Sequence, residues 1–108
     1  MDNISTITKM ISHIEKIQEY IKDLDYDSFI RNEIVIEACA FNFSQIGELS
    51  HKLEESFQQN NPSIPWKAIY GMRNKIIHDY DGINLNVVWE TITEDLPVLA
   101  EQLKKIKI

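Results

Sequence analysis

Glycine and proline are scarce in this 108-residue chain, three of each, which argues against a turn-rich β fold and against a low-complexity linker. Cys39 is the one cysteine, so no internal disulfide can form. Its place in an apolar run reads as a buried thiol in a reducing compartment. No apolar run approaches the roughly 20 residues that cross a bilayer, and Met1-Asp2-Asn3 lacks the basic and apolar stretches of a secretory signal. A cytoplasmic protein without a membrane anchor is expected. His13 and His51 have no Cys or His at ligand spacing, so no metal or other cofactor is expected, and both read as surface helix residues. Repeats and low-complexity segments are absent too. What remains is one domain, residues 1–108, with enough chain for a single core.

Charge is abundant but uneven. The net charge is −6, a poor basis for nonspecific nucleic-acid binding. Acidic residues gather at Asp23, Asp25 and Asp27, at Glu48, Glu54 and Glu55, and from Glu90 to Asp95. From Ser56 to His78 there is no Asp or Glu, while Lys67, Arg73 and Lys75 fall inside that window. One locally positive strip on an acidic body could grip a phosphate, and the acidic remainder could face a basic protein partner.

Hydrophobic periodicity predicts helices throughout. Ile4, Ile7, Ile11, Ile14, Ile17, Ile21 and Leu24 step by threes and fours, giving a first helix over about Asn3–Leu24 with Asn3 or Ser5 as its cap. A second is expected from Asp27 or Ser28 towards Gln58. Its middle carries Val35, Ile36, Ala38, Phe41 and Phe43 on more than one face, as in a helix central to a bundle or shared with a second subunit. Gly47 inside it would allow close helix approach, at a cost of about 1 kcal/mol of propensity relative to Ala. Asn60-Asn61-Pro62-Ser63 is a loop, and Pro65 suits the first turn of a third helix that runs to Asp79 and ends at Asp81-Gly82. A fourth helix is expected from near Asn84 towards Lys105, along Leu85, Val88, Trp89, Ile92, Leu96, Leu99, Leu103 and Ile106. Pro97 cannot donate to the Thr93 carbonyl, so a kink or break belongs there. The expected fold is all-α, an up-down antiparallel four-helix bundle.

The third helix holds the candidate chemistry. Arg73 falls within a stripe formed by Trp66, Ile69, Tyr70, Ile76, Ile77 and Tyr80, where an unpaired guanidinium would be costly. It must meet a carboxylate, carbonyls or a bound phosphate. A structural ion pair with Glu48 is one reading, a phosphate site the other. Asn74 and His78 are four apart and share a face. Arg73 and His78 are five apart, about 140° around an ideal helix, so they converge only through distortion or across a second copy of the helix. A homodimer is therefore expected, in keeping with the many-faced second helix. His78 near the carboxyl end suits an imidazolium, and a group that exchanges a proton near neutral pH. It could equally be a plain capping residue. Tyr80 alone reads as core or rim.

Arg73-Asn74-Lys75-Ile76-Ile77-His78-Asp79-Tyr80 resembles the R-x4-H-x-Y signature of HepT toxins in the HEPN superfamily of helical nucleases (DUF86-like). The likeness extends to Gln45-Ile46-Gly47-Glu48, Pro65-Trp66, Gly71-Met72, Val88-Trp89 and Asp95-Leu96-Pro97, nearly the whole chain. It implies metal-independent RNA cleavage with Arg73 and His78 as catalytic residues at a site composed across a dimer axis, Asn74 supporting them. It also implies a minimal nucleotidyltransferase (MNT) antitoxin that adenylylates the motif tyrosine, here Tyr80. Two other readings stand beside it: a HEPN-like module that binds a nucleotidyltransferase without cleaving RNA, and a dimerising bundle with a structural Arg73.

Overall fold

Short polar side chains decide where the helices begin. In the computed structural model, which describes residues 2–79 and 84–107, with side chains for these except 72, 75–79 and 107, the first helix, α1 (Asn3–Ile21), is capped by Asp2. Its carboxylate accepts from the Ser5 amide at 2.7 Å, so the cap lies before both expected candidates, Asn3 and Ser5. The expected second helix is three helices. Asp25 and Ser28 form a reciprocal capping box that starts α2 (Tyr26–Ile30). Asn32 then caps α3 (Glu33–His51), accepting from the Val35 amide at 3.1 Å. A short α4 (Glu55–Gln59) follows. The Asp25 and Asn32 caps each satisfy an amide that a continuous helix would have paired with a preceding carbonyl, which makes the break before α3 cheap, whereas Glu54 before α4 makes no side-chain cap.

The loop after α4 holds the expected Asn60–Ser63 turn. Pro65 precedes α5 (Trp66–Asp79), its carbonyl accepting the first helical bond, from Ile69. The last stretch is α6 (Leu85–Glu90), a π-helical segment (Thr91–Asp95) and α7 (Leu96–Lys107). The irregularity expected at Pro97 thus begins upstream, at Thr91. Pro97 brings no amide for the Thr93 carbonyl, and the chain answers by winding wider, so that the Leu96 amide bonds the Thr91 carbonyl. Thr91 and Thr93 donate their hydroxyls back to Val87 and Trp89 carbonyls, each at 2.9 Å, a pattern that bends helices. The described residues are helical throughout their regular elements and contain no strand, as an all-α fold requires.

The core forms where the predicted stripes meet. Ile7, Met10, Ile14 and Ile17 of α1 are fully buried against α3 and α7. Phe43 and Ile46 of α3, Ile69 of α5, and Ile92, Leu96 and Leu103 of the last stretch complete the centre. Each such side chain contributes about 1.5–3 kcal/mol of transfer free energy. Helix α3 packs against both α1 and α5, which explains its apolar residues on several faces. A further strip of α3 stays open: Ile34 is 80% and Phe41 60% exposed. Cys39 is buried as expected, and burial pushes its thiol up to about 12. His13 is not the surface residue expected of it. Half-buried, its Nδ1 lies 2.7 Å from the Asn42 Oδ1. Buried Asn42 gives its amide hydrogens to the Ala38 carbonyl at 2.8 Å, so its oxygen accepts and His13 Nδ1 carries the proton.

No helix among the described residues is long and apolar enough to cross a membrane.

Candidate active site

Helices α3 and α5 approach so closely at one point that no side chain fits between them. A Cβ on Gly47 would stand 2.5 Å from the Arg73 Cβ and 3.0 Å from its Cγ, so the aliphatic stem of Arg73 lies directly over the Gly47 backbone. One turn further along α3, His51 stacks on Tyr70 with ring centroids 4.6 Å apart and planes 24° apart. Since 47 meets 73 and 51 meets 70, the two helices run antiparallel here.

The guanidinium that emerges from this crossing is held on several sides. Nη2 of Arg73 lies 3.0 Å from Glu48 Oε1, the partner expected from the sequence. Nη1 donates to Asn74 Oδ1 at 3.2 Å, and the charge sits 5.9 Å from the Tyr70 ring centroid, within cation–π range. Among the described residues no acceptor meets the buried Nε. The Arg73 and Glu48 side chains are 27% and 45% exposed, so this is a pair at a solvent margin, and it contributes on the order of 1 kcal/mol or less. The head of Arg73 remains within reach of an incoming anion.

Asn74 is exposed, and its described partner is Arg73. His78 belongs to α5, but its side chain lies outside the described residues, as does Tyr80 altogether. By helical register, positions 67, 71, 74 and 78 share one face of α5, and Arg73 lies on another. Lys67, Gly71 and Asn74 on that face are exposed. A Cβ on Gly71 would meet nothing within 4 Å, so this face is open at Gly71, between Lys67 and Asn74.

At the amino-terminal end of that face, His51, Glu55, Trp66, Lys67 and Tyr70 are among the residues lining a cavity of about 740 Å³. Its floor is fixed by hydrogen bonds. The Trp66 indole donates to the carbonyls of Gln58 and Asn61 at 3.1 and 3.0 Å, and Gln58 Nε2 donates to the Ser50 carbonyl at 2.9 Å. The parts of His51 and Tyr70 in this cavity are not apparent from the sequence. Their spacing held a clue, since His51 follows Gly47 by one turn and Tyr70 precedes Arg73 by one. No group of three or more His, Cys, Asp or Glu able to hold a metal occurs among the described residues.

Residues 10–106 match the family model described as Ribonuclease HepT-like. The chain belongs to the HepT-like ribonuclease family. It is 33% identical over 97 residues to a protein of Caldanaerobacter subterraneus subsp. tengcongensis named "Putative RNase", covering 90% of this chain and 87% of that one. A Methanocaldococcus jannaschii protein of the same name is 34% identical over 90% of this chain and 84% of its own. A "Probable ribonuclease HepT" of Thermococcus cleftensis is 32% identical over 87% and 86%. No solved structure matches the chain.

Proposed function

We propose that this chain is the toxin of a type VII-like HepT/MNT toxin–antitoxin pair, a metal-independent endoribonuclease whose reaction is performed by Arg73 and His78. The observation that supports it most is Arg73. Its stem is clamped over Gly47, its head stands at the solvent margin, and its Nε lacks an acceptor among the described residues. A buried donor without a partner costs about 1–3 kcal/mol, and a phosphate oxygen reached by a small swing of the guanidinium would relieve that cost. The long helices α1, α3, α5 and α7 are read as the legs of the up-down bundle that carries the site.

In this reaction the 2′-oxygen of the substrate attacks the adjacent phosphorus as its proton passes to a base. The bond from phosphorus to the 5′-oxygen breaks, and that oxygen takes a proton. The products are a 2′,3′-cyclic phosphate and a 5′-hydroxyl. His78 serves as base or acid, and Arg73 offsets the charge that grows on the phosphorane. Asn74, hydrogen-bonded to Arg73 and on the face of position 78, supports both.

Arg73 and His78 lie about 140° apart around α5, so each cleft is read as drawing on two subunits. Exposed Ile34 and Phe41 lie on the α3 face that continues to Glu48, and they offer an apolar contact for a homodimer. The antitoxin, an MNT nucleotidyltransferase, would place adenylate on Tyr80, adding bulk and negative charge beside the phosphate site.

The test is cleavage of RNA by the purified protein in excess chelator, with light scattering to give its mass. Cleavage by a dimer, lost in Arg73→Ala and His78→Ala variants that keep their helical spectrum, supports the reading. The Glu48 pair favours a second one, in which Arg73 is structural and the chain is a non-catalytic binding partner of a nucleotidyltransferase. Undiminished toxicity of a folded His78→Ala variant on expression without antitoxin would decide for that second reading.

A further inference from the structure

We propose that the cavity between the end of α3 and the start of α5 is a subsite for single-stranded RNA, one that takes a base flanking the scissile step on His51 and a backbone phosphate on Lys67. This rests on the ribonuclease reading and extends it to how the strand is held.

Four observations converge on the site. His51 is exposed while one face of its ring is stacked on Tyr70, and Tyr70 in turn lies within reach of the Arg73 charge. The other face of the imidazole is therefore free to continue a column of base, His51 and Tyr70 that ends beside the catalytic arginine. Aromatic platforms of this kind bind single strands with little regard to sequence, because every base has a π-face. Next, Lys67 lines the same cavity inside the stretch from Ser56 to His78 that contains no acidic residue, so a phosphate there meets little repulsion from its own segment. Glu55 on the α4 side is the acid of the lining. Third, the floor is set by the Trp66 and Gln58 hydrogen bonds, so the cavity is shaped before a ligand arrives. Finally, Lys67 shares a face with Asn74 and position 78, and that face is open at Gly71. Eleven residues of helix span about 16 Å, roughly five stacked nucleotides at about 3.4 Å each. A strand laid along this face connects the reacting phosphate to the cavity without leaving α5.

The experiment measures binding of an uncleavable 2′-O-methyl octanucleotide to the whole protein, with an abasic residue moved through each position. Wild type is expected to lose affinity sharply at one position, by about fivefold to a hundredfold, the range for one stacked base. His51→Ala is expected to lose a similar factor on the intact strand and to become indifferent to that position, while His51→Phe restores the dependence. Lys67→Gln should flatten the slope of log affinity against log salt by about 0.7, as expected for one phosphate contact with a single strand. Both residues changed, His51 and Lys67, are exposed, and a thermal melt confirms folding of the three variants. If His51→Ala binds as wild type does, with the same abasic profile, the subsite is overturned although RNA cleavage stands. If wild type neither binds the strand nor cleaves RNA, the ribonuclease reading fails and the subsite with it.

Discussion

Gly47 of α3 and Arg73 of α5 occupy the same space: a Cβ on the glycine would lie 2.5 Å from the Cβ of the arginine. That atom is anchored to the α5 backbone, so it cannot swing aside as the tip of a long chain would. Gly47→Ala should gain about 1 kcal/mol of helix propensity and lose more to overpacking, which costs about 1–3 kcal/mol. The expected outcome is a net loss of about 1 kcal/mol, read as a lower denaturation midpoint at unchanged slope. Cleavage should fall as well, because Arg73 is displaced from Glu48.

Arg73→Ala separates chemistry from stability. The ion pair is partly solvated, and Glu48 left alone can be hydrated, so the stability change should be about 1 kcal/mol, well below the roughly 3–5 kcal/mol lost when one partner of a buried pair is removed. Cleavage should drop by about a hundredfold or more, as when one preorganised donor to a developing oxyanion is removed. Single-turnover rates beside urea melts of the same samples decide it. Equal losses of a few-fold in both would mean that Arg73 only holds the helices together.

Burial holds the Cys39 thiol at about 12, above its ordinary 9.0, because the thiolate would be stranded among apolar neighbours. The folded state therefore keeps its full advantage below the unfolded value near 9 and loses it as pH rises from there towards 12. At pH 8 the native protein should react with a thiol reagent far more slowly than the urea-unfolded chain, and the native rate should follow unfolding. Fast labelling of the native protein would contradict this placement of Cys39.

Tyr80→Phe keeps the ring and removes the hydroxyl on which the proposed adenylylation depends. This variant is expected to fold, to cleave RNA and to resist the covalent part of antitoxin action. The measurement is cleavage by wild type and variant after incubation with antitoxin, ATP and magnesium, with intact mass recorded for each. Equal silencing with no mass gain in either would leave inhibition to antitoxin binding alone.

Much of this could be read from the sequence because it is local. The stripes at Ile7–Ile17 and Leu96–Leu103 are set by helical spacing and are buried as that spacing implies. An arginine within an apolar stripe needed a carboxylate, carbonyls or a bound phosphate, and Glu48, the candidate acid beside a glycine on the preceding long helix, is the partner it meets. The breaks on either side of α3 escaped because the apolar pattern runs through them. Asp25 with Ser28 three residues later was nonetheless a legible start signal, and Asn32 before Glu33 was another. The His13–Asn42 and His51–Tyr70 contacts join residues far apart in the chain; nothing in the local spacing marks the first, and the one-turn offsets from Gly47 and Arg73 were the clue to the second. His78 was singled out by its place near the end of the third helix and Tyr80 only by the motif, and the His78 side chain and Tyr80 lie outside the described residues.

The π-helical segment works as a phase shifter. Each turn wound with an i→i−5 bond takes in about one residue more than an α-turn, which rotates everything downstream by roughly 100°. Before the segment, α6 turns Trp89 towards α2, where its ring meets Phe29 at 5.0 Å. After it, α7 turns Leu96, Leu99 and Leu103 inward on the side of α1. One continuous length of helix thus serves two neighbours that an unbroken α-helix of the same sequence could not face together. Removing a single residue between Thr91 and Asp95, with Pro97→Ala to permit regular winding, should take out the extra residue and give one straight helix with both apolar faces kept in register, whereas regular winding of the full-length sequence would turn those faces apart by roughly 100°.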